Sequence, residues 1–338
     1  MSILDNIKQP VKKELDLFED KFYQAMKSPV SLLDKIVHYI IKYKGKQIRP
    51  LFVFLTAKMF GEITESTYRA AALIELLHTA TLVHDDVVDD SYMRRGVFSI
   101  NALWKNKIAV LVGDYFLSRG LLLSVNNSEF RLLGIVSDAV KAMSEGELLQ
   151  IEKNRKPDIT EDDYLTIIRQ KTAALFSSSC AAGAASVTGD ATIIRSMKEF
   201  GEAAGIAFQI KDDLLDIEAG SLPTPDRPAG GGQKGTIGKP TGTDLKSKTL
   251  TLPVIYTLTQ LSGSGKKNFL RIINNGVMTK AGTTEIRNTI IKTGGIEYAR
   301  KRMNEKVSEA LSKINPVTDN PAKESLVKLV DFIVSRPY

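Results

Sequence analysis

Residues 71–89, AALIELLHTATLVHDDVVD, place a long apolar segment directly before a cluster of aspartates. Residues 71–84 are apolar on most faces of a helix, which is typical of a helix inside a bundle. Residues 173–187, AALFSSSCAAGAASV, have the same character and are rich in Ala, Ser and Gly. That composition either allows close helix approach or leaves an open channel beside the helix. Together the two segments predict an all-α fold with a buried central layer.

The rest of the chain repeats apolar residues at i, i+3 and i+4, which predicts further helices. The predicted helices are 11–26, 31–43, 64–90, 107–125, 129–153, 161–187, 192–218, 249–261, 266–275, 282–293, 296–314 and 321–335. Alternating β-branched runs are scarce, and no short repeat is present. We therefore expect residues 1–338 to form one all-α bundle of about a dozen helices, with a central cavity between two Asp-rich helices.

One segment interrupts the helical pattern. Residues 219–243, AGSLPTPDRPAGGGQKGTIGKPTGT, contain too much proline and glycine for a continuous helix. The segment could be a linker between domains. Its place directly after the second aspartate cluster favours a flexible lid loop over that cluster.

Composition limits the classes of function. The net charge of +7 and pI of about 9.2 fit a nucleic acid, a membrane surface or an anionic small substrate. The basic residues are spread along the chain without a tight tract, which disfavours nucleic acid. Cys180 is the only cysteine, so no intrachain disulfide can form. The charged N-terminus and the lack of a long apolar stretch predict a cytoplasmic protein with at most peripheral membrane contact.

Two aspartate clusters, DDVVD at 85–89 and DDLLD at 212–216, lie within otherwise apolar helical segments. Their first and last aspartates share one helix face, one turn apart, so like charges repel. Magnesium removes that penalty because it prefers carboxylate oxygens and bridges to substrate phosphates. A single cluster could equally be an N-cap or a solvated acidic face, but two copies in apolar sequence favour a metal and phosphate site.

The doublet His84-Asp85 permits a different interpretation, because such a pair can form the centre of a metal phosphohydrolase. That site needs further histidine ligands, and the chain contains only His38 and His78 besides. An oxygen-rich magnesium site therefore fits the sequence better.

Cationic and polar side chains surround the two clusters, as a diphosphate ligand would require. Arginine supplies bidentate phosphate recognition and lysine supplies a point charge. The candidates are Lys46, Arg49, Arg94, Arg95, Lys171, Thr172, Gln209 and Lys239. His78 lies within two helical turns of Asp85 and could face the same cavity, although a histidine in an apolar helix is more often a core residue.

Three segments, GKQIRP at 45–50, HDDVVDDSYMRRG at 84–96 and GIAFQIKDDLLD at 205–216, resemble the signatures of the trans-isoprenyl diphosphate synthases, or polyprenyl synthetases. The resemblance runs from about residue 45 to residue 255 with the segments in order. It implies the all-α isoprenoid synthase bundle, a homodimer, and about three Mg²⁺ ions when the substrate is bound.

The resemblance also implies roles for particular residues. The aspartates Asp85, Asp86, Asp89, Asp212, Asp213 and Asp216, with Lys171, would be catalytic, and Asp85, Asp89 and Asp212 would bind the metal. Isopentenyl diphosphate would be bound by Lys46, Arg49, His78 and Arg95. The allylic diphosphate would be bound by Arg94, Lys171, Thr172, Gln209 and Lys239.

The implied reaction is Mg²⁺-dependent condensation of isopentenyl diphosphate with an allylic diphosphate such as farnesyl or geranylgeranyl diphosphate. Ala80 and Thr81 lie just before the first cluster, where the family closes its product tunnel with bulky aromatic residues. Small residues there resemble the long-chain members and imply a long all-trans product, for example a quinone side chain. A close-packing role for Ala80 is the alternative.

The sequence departs from the family at Asp244–Pro253, where Lys248 is displaced by one residue from the expected Gly-Lys pair, so its phosphate role is open. Other interpretations are a short-chain farnesyl or geranylgeranyl synthase, a terpene cyclase of the same fold, a non-catalytic partner subunit and a structural helical protein. The intact GKQIRP segment and both complete aspartate clusters disfavour the last three.

Overall fold

A computed structural model describes residues 2–94, 96–153, 159–219, 250–275 and 280–335, and this part of the chain is almost entirely helical. The helices are α1 (Ile3–Lys8), α2 (Lys12–Met26), α3 (Ser31–Lys42), α4 (Ile48–Phe60), α5 (Glu65–Val88), α6 (Ile100–Asn126), α7 (Phe130–Lys153), α8 (Glu161–Ile168), α9 (Ala174–Ala185), α10 (Ala191–Ala219), α11 (Leu252–Gln260), α12 (Gly263–Asn275), α13 (Lys280–Lys292), α14 (Gly295–Ile314) and α15 (Pro321–Ser335). A 3₁₀ turn, Gln9–Val11, joins α1 to α2, and a π-helical turn, Arg169–Ala173, joins α8 to α9. The prediction of an all-α protein is confirmed.

The middle of the bundle is built from α4, α5 and α9. Every residue from Leu175 to Ala184 in α9 is buried, as are the residues from Pro50 to Ala57 in α4. A Cβ atom on Gly183 would lie 2.4 Å from the carbonyl oxygen of Val53, so only glycine permits this approach of α9 to α4. At Gly183 the structure shows close packing of α9 on α4, which is one of the two possibilities raised by the small residues of 173–187.

The buried side chains form two cores that meet along α10. Met197 and Phe200, near the start of α10, pack in the core formed with α2, α4, α5 and α6. Ile210 and Leu214, further along α10, pack in the core formed with α8, α11 and α14. The second aspartate cluster lies on this second half of α10, and Leu214 within it belongs to the second core.

Several elements differ from the sequence prediction. Helix α4 was not predicted, because it is apolar on most faces and shows no clear alternation of apolar and polar residues. Pro50 lies in its first turn, where proline is tolerated. Two short strands, Met93–Arg94 and Val97–Phe98, form an antiparallel hairpin that has too few residues for a detectable alternation. The predicted helix 161–187 is divided by the π-helical turn.

Helix α6 corrects the expectation that no segment is apolar and long enough to cross a membrane. Residues Ile100–Asn126 meet that requirement by length and composition alone, and only a third of their most apolar window, 33%, is buried. Arg119, a charged residue of α6, donates a 2.7 Å hydrogen bond to the carbonyl oxygen of Ala25 in α2. Leucines on the opposite side of α6 remain exposed.

Candidate active site

The first aspartate cluster lies where α5 ends. Helix α5 stops at Val88 and not at residue 90 as predicted, because Asp90 adopts a positive φ of 47°. Asp89 caps the helix, and its backbone N–H donates a 2.8 Å hydrogen bond to the carbonyl oxygen of Asp85. The two side chains are therefore still one helical turn apart, as the sequence pattern required.

Asp85 is the electrostatically crowded member of this cluster. Its pKa is raised to about 6, chiefly because the carboxyl is buried; Lys171 and Arg94 lower the pKa, and Glu147 and Asp89 raise it. The ionised form of Asp85 is therefore disfavoured by burial and by two neighbouring carboxylates. A bound divalent cation would relieve this repulsion, because it favours the ionised form of every carboxylate near it.

Asp86 points away from that crowded face. It is only 3% exposed, and its carboxylate accepts three hydrogen bonds from Arg94, from Nε at 2.9 and 3.0 Å and from Nη2 at 2.7 Å. The Nδ2 group of Asn101 donates a 3.0 Å bond to the Asp86 carbonyl oxygen. Arg94, which the resemblance assigned to the allylic diphosphate, therefore uses two of its nitrogens to hold the first cluster against the hairpin.

The second cluster has the same organisation. Asp213 is 3% exposed and accepts hydrogen bonds from the hydroxyl of Tyr164 at 2.7 Å and from Nε2 of Gln209 at 2.9 Å. The side chains of Asp212 and Asp216 on either side are half-buried. In both clusters the central aspartate is bound by protein groups, while the first and last share the neighbouring face of the helix.

No group of three or more His, Cys, Asp or Glu side chains suitable for a metal ion exists within the described residues. The predicted ligands Asp85, Asp89 and Asp212 are therefore not assembled into a closed site. Magnesium typically takes one or two protein carboxylates and completes its coordination with water and substrate phosphates. The separate pairs of aspartates fit that chemistry, and they do not fit a metal held by protein alone.

A cavity of about 920 Å³ opens beside the first cluster. Its polar wall contains Lys46, Arg49, His78, Asp86 and Arg94, and Phe176, Phe208 and Phe332 contribute to its apolar walls. The structure thus brings together three of the four residues predicted to bind isopentenyl diphosphate. A volume of this size with a few convergent polar groups is characteristic of a small-molecule site.

Two cationic side chains of the cavity, Lys46 and Arg49, lie beside aromatic rings. The guanidinium of Arg49 lies 5.1 Å from the Phe176 ring centre, and Lys46 Nζ lies 5.1 Å from that of Phe332. Arg49 Nη1 is also 3.0 Å from Nε2 of His78, which makes the imidazole nitrogen the acceptor. His78 therefore lies at the cavity, as one of its two interpretations required.

Lys171 and Thr172 lie on the π-helical turn, a distortion that is frequent at functional sites. Lys171 Nζ contacts Glu147 at 2.5 Å and Gln150 at 2.8 Å, both on α7. Thr172 donates a 2.8 Å hydrogen bond to Oε1 of Gln209. Two of the predicted allylic residues, Thr172 and Gln209, are thus linked to each other and, through Gln209, to Asp213 of the second cluster, whereas Lys171 is bonded to α7.

Sequence reasoning missed Glu147, Gln150 and Tyr164. Their spacing relative to the clusters carries no signal, because they arrive from α7 and α8 by tertiary packing. A tyrosine within the otherwise apolar stretch of α8 was the one available indication, since a buried phenol usually finds a hydrogen-bond partner.

The predicted chain-length residues lie on α5 above the cluster. Ala80 is fully buried, and the Thr81 hydroxyl donates to the carbonyl oxygen of His78 at 3.0 Å. Other predicted features, namely Arg95, Lys239, Lys248 and most of the lid 219–243, lie outside the described residues.

The fold and the cavity define a class: an all-α protein with aspartate pairs and cations arranged for a diphosphate ligand. Residues 30–290 match the polyprenyl synthetase family. The chain belongs to that family, as the resemblance had implied.

Relatives match over nearly the whole chain. An all-trans-nonaprenyl-diphosphate synthase (geranyl-diphosphate specific) from Rhodobacter capsulatus is 33% identical, with 98% of this chain and 97% of the relative covered. The octaprenyl diphosphate synthase of Escherichia coli (strain K12) is 31% identical, with 98% and 99% covered. The crystal structure of a polyprenyl synthase from Caulobacter crescentus CB15, complexed with calcium and isoprenyl diphosphate, is 30% identical and superposes with a TM-score of 0.87 over 98% of both chains.

Proposed function

We propose that this protein is a prenyltransferase that condenses isopentenyl diphosphate head to tail with an allylic diphosphate to give a long-chain all-trans polyprenyl diphosphate. Membership of the polyprenyl synthetase family supports the reaction class. Two relatives named for nonaprenyl and octaprenyl products support a long chain. The observation that carries the proposal is the cavity, because one wall joins Lys46, Arg49 and His78 to the first aspartate cluster.

Isopentenyl diphosphate binds, in this proposal, at Lys46, Arg49 and His78, together with Arg95. The Arg49–His78 contact orients the guanidinium, and the rings of Phe176 and Phe332 lie beside the charged groups of Arg49 and Lys46.

The allylic diphosphate binds, in this proposal, between the two clusters, where Lys171, Thr172, Gln209 and Arg94 contact it. Lys239 is assigned to the same substrate by the family resemblance alone. Lys171 is paired with Glu147. A diphosphate competes for that lysine because it carries more negative charge than one carboxylate.

Asp85, Asp89 and Asp212 would hold Mg²⁺, which neutralises the negative charge that develops on the departing diphosphate. The ion count of about three is part of the same proposal. Asp86 and Asp213 keep the two faces in position through their protein partners. A related structure contains calcium and isoprenyl diphosphate, which supports a divalent cation at such a site.

The reaction breaks the allylic C–O bond and forms a C–C bond from the double bond of isopentenyl diphosphate to the allylic carbon. A proton then leaves the adjacent carbon and is taken up by the released diphosphate. Phe176 and Phe208 line the cavity and exclude water, which would otherwise capture the allylic cation.

We also propose that residues 1–338 form one domain and that the enzyme is a cytoplasmic homodimer. The exposed face of α6 supports the dimer, because it presents a row of apolar side chains. The row consists of Leu103, Val110, Leu111, Leu121, Leu122 and Val125. A second copy of the chain is the occupant we assign to this face, since it offers the same apolar surface about a two-fold axis.

The test is elongation of a labelled primer. The protein is incubated with labelled isopentenyl diphosphate, Mg²⁺ and geranyl, farnesyl or geranylgeranyl diphosphate in turn, and the products are separated by chromatography. We expect long all-trans products. The variants Asp85→Ala and Asp212→Ala should each lower turnover by orders of magnitude. A failure to elongate any of the primers would contradict the proposed function.

A further inference from the structure

A line of hydrogen bonds runs from the π-helical turn through the second aspartate cluster to α8. The hydroxyl of Thr172 donates to Gln209 Oε1 at 2.8 Å, and Gln209 Nε2 donates to Asp213 Oδ1 at 2.9 Å. Tyr164 donates to the other carboxylate oxygen, Oδ2, at 2.7 Å. The phenol of Tyr164 thus forms the far end of a line that begins beside Lys171.

Asp213 lies in apolar surroundings. Its neighbours along α10, Ile210, Leu214 and Ile217, belong to the second core together with Tyr164 itself. A carboxylate buried to this degree requires hydrogen-bond donors, and bonds to a charged group are the stronger kind. The Tyr164 phenol, itself 4% exposed, is rigid and comes from another helix, so it restricts the side chain of Asp213 to one orientation.

Because Asp212 and Asp216 lie on the same helix, a fixed orientation of Asp213 also fixes the directions of these two side chains. On a helix, Asp212 and Asp216 lie about 100° and about 60° round from Asp213, both on the same side. A rotation of α10 that moved Asp213 would therefore redirect both of these aspartates together. It would also move Gln209, one turn earlier, and so disturb Thr172.

We propose that Tyr164 is a positioning residue for the diphosphate site: its hydrogen bond to Asp213 sets the direction of Asp212 and Asp216 and, through Gln209, the position of Thr172. This inference rests on the proposed function and deepens it. Tyr164 touches neither substrate nor metal in this scheme. The competing explanation is that its phenol merely satisfies a buried carboxylate and stabilises the fold.

The substitution Tyr164→Phe tests the proposal, because it removes one hydroxyl and keeps the ring in the core. Tyr298→Phe is the matched control. Tyr298 donates a 2.5 Å hydrogen bond to Glu161 on the same helix α8, but it is not part of the line to Asp213. Each variant loses one hydrogen bond between a tyrosine hydroxyl and a carboxylate at α8. Only the bond of Tyr164 is made to an aspartate of the second cluster.

Two measurements distinguish the explanations. Calorimetry with inorganic diphosphate and Mg²⁺ should show binding weakened about tenfold in Tyr164→Phe and unchanged in Tyr298→Phe, since a hydrogen bond to a charged group accounts for a change of this size. In the elongation assay, the KM for the allylic primer and the Mg²⁺ requirement should rise, while the KM for isopentenyl diphosphate stays at its wild-type value.

Wild-type binding and wild-type KM values in Tyr164→Phe would overturn the proposal, as would a loss of thermal stability with no change in binding. Equal effects of the two substitutions would also overturn it, because they would indicate a role in folding alone. The binding measurement needs no turnover. A wild-type protein that elongates no primer would therefore remove the proposed function and still leave the role of Tyr164 to be decided by calorimetry.

Discussion

Single side chains decide how each aspartate cluster is used. Arg94 binds the second aspartate of the first cluster, Asp86, and Tyr164 binds that of the second cluster, Asp213. The metal-binding role that we propose falls on other members of the clusters, Asp85, Asp89 and Asp212. The sequence pattern placed the first and last aspartates of each cluster on one helix face, but it did not show which partners the second aspartate would have. Tyr164 is 49 residues from Asp213 in the chain, whereas Arg94 is 8 residues from Asp86.

Among the described residues, Lys105 is one of four non-glycine residues with a positive φ. It interrupts α6 with φ 72° and ψ 158°, a conformation that is essentially restricted to glycine and costs about 1–3 kcal/mol for other residues. Its side chain is exposed, so little packing would be lost on removal. We expect Lys105→Gly to raise the melting temperature, although the greater freedom of glycine in the unfolded chain offsets part of the gain.

Lys107 provides the control for this prediction. It is also an exposed lysine of α6, two residues further along, and its backbone is helical. Lys107→Gly should therefore lower stability by about 1 kcal/mol. Melting curves of the two variants should shift in opposite directions. A fall in the melting temperature of Lys105→Gly would show that no strain is stored there.

Ala80 tests the chain-length proposal at the same scale. Its fully buried position on α5, just over one turn before Asp85, leaves no space for a ring without a shift of the surrounding side chains. Ala80→Phe should shorten the products of the elongation assay, because the ring would block the path of the growing chain. Overpacking will also cost about 1–3 kcal/mol, so folding must be verified by melting. Ala80→Ser keeps a small side chain and should retain the wild-type products, whereas unaltered products in a folded Ala80→Phe would contradict the tunnel.

At the scale of elements, the approach of α7 to the π-helical turn positions Lys171. A Cβ atom on Gly146 would lie 2.7 Å from Cβ of Gln170 and 2.9 Å from the backbone nitrogen of Lys171. Gly146→Ala should therefore push the turn away, raise the KM for the allylic primer and lower stability. Gly134, on the same helix, has open space around it, and Gly134→Ala should stabilise by about 0.5–1 kcal/mol. Steady-state kinetics and melting curves of both variants test this prediction. Wild-type kinetics in Gly146→Ala would argue against a tight contact between α7 and the π-helical turn.

Helices with clear periodicity could be predicted from the sequence, and elements without it could not. Residues 31–43 and 321–335 alternate apolar and polar faces, and both appear close to their predicted bounds as α3 and α15. Helix α4 is apolar on most faces, and the strands of the hairpin have two residues each, so neither carries a pattern. The same holds for the candidate site. The aspartates could be recognised from their spacing in the sequence, whereas Glu147 and Tyr164 reach the site only because of how α7 and α8 pack.

At the scale of the whole molecule, the reactivity of Cys180 measures how often the helical bundle unfolds. It is the only cysteine, it is fully buried in α9, and burial raises the pKa of its thiol to about 12. The thiolate is the reactive form, so a thiol reagent should label the folded protein very slowly. Labelling should begin only at denaturant concentrations that unfold the bundle. Fast labelling under native conditions would show that α9 opens locally, and fully unfolded protein supplies the reference rate.

The exposed apolar face of α6 predicts that two copies of the chain associate through this helix. Leu111 is 55% exposed and Leu122 is 50% exposed, although both belong to a helix that is otherwise packed against α5. Light scattering of the wild-type protein should give the mass of a dimer. Leu122→Glu should shift it to the monomer, because an interface core tolerates few charges. Ile291, an exposed residue of α13 at 46%, provides the control, and Ile291→Glu should remain dimeric. A monomeric wild-type protein, or a dimer that survives both Leu111→Glu and Leu122→Glu, would mean that α6 is not the interface.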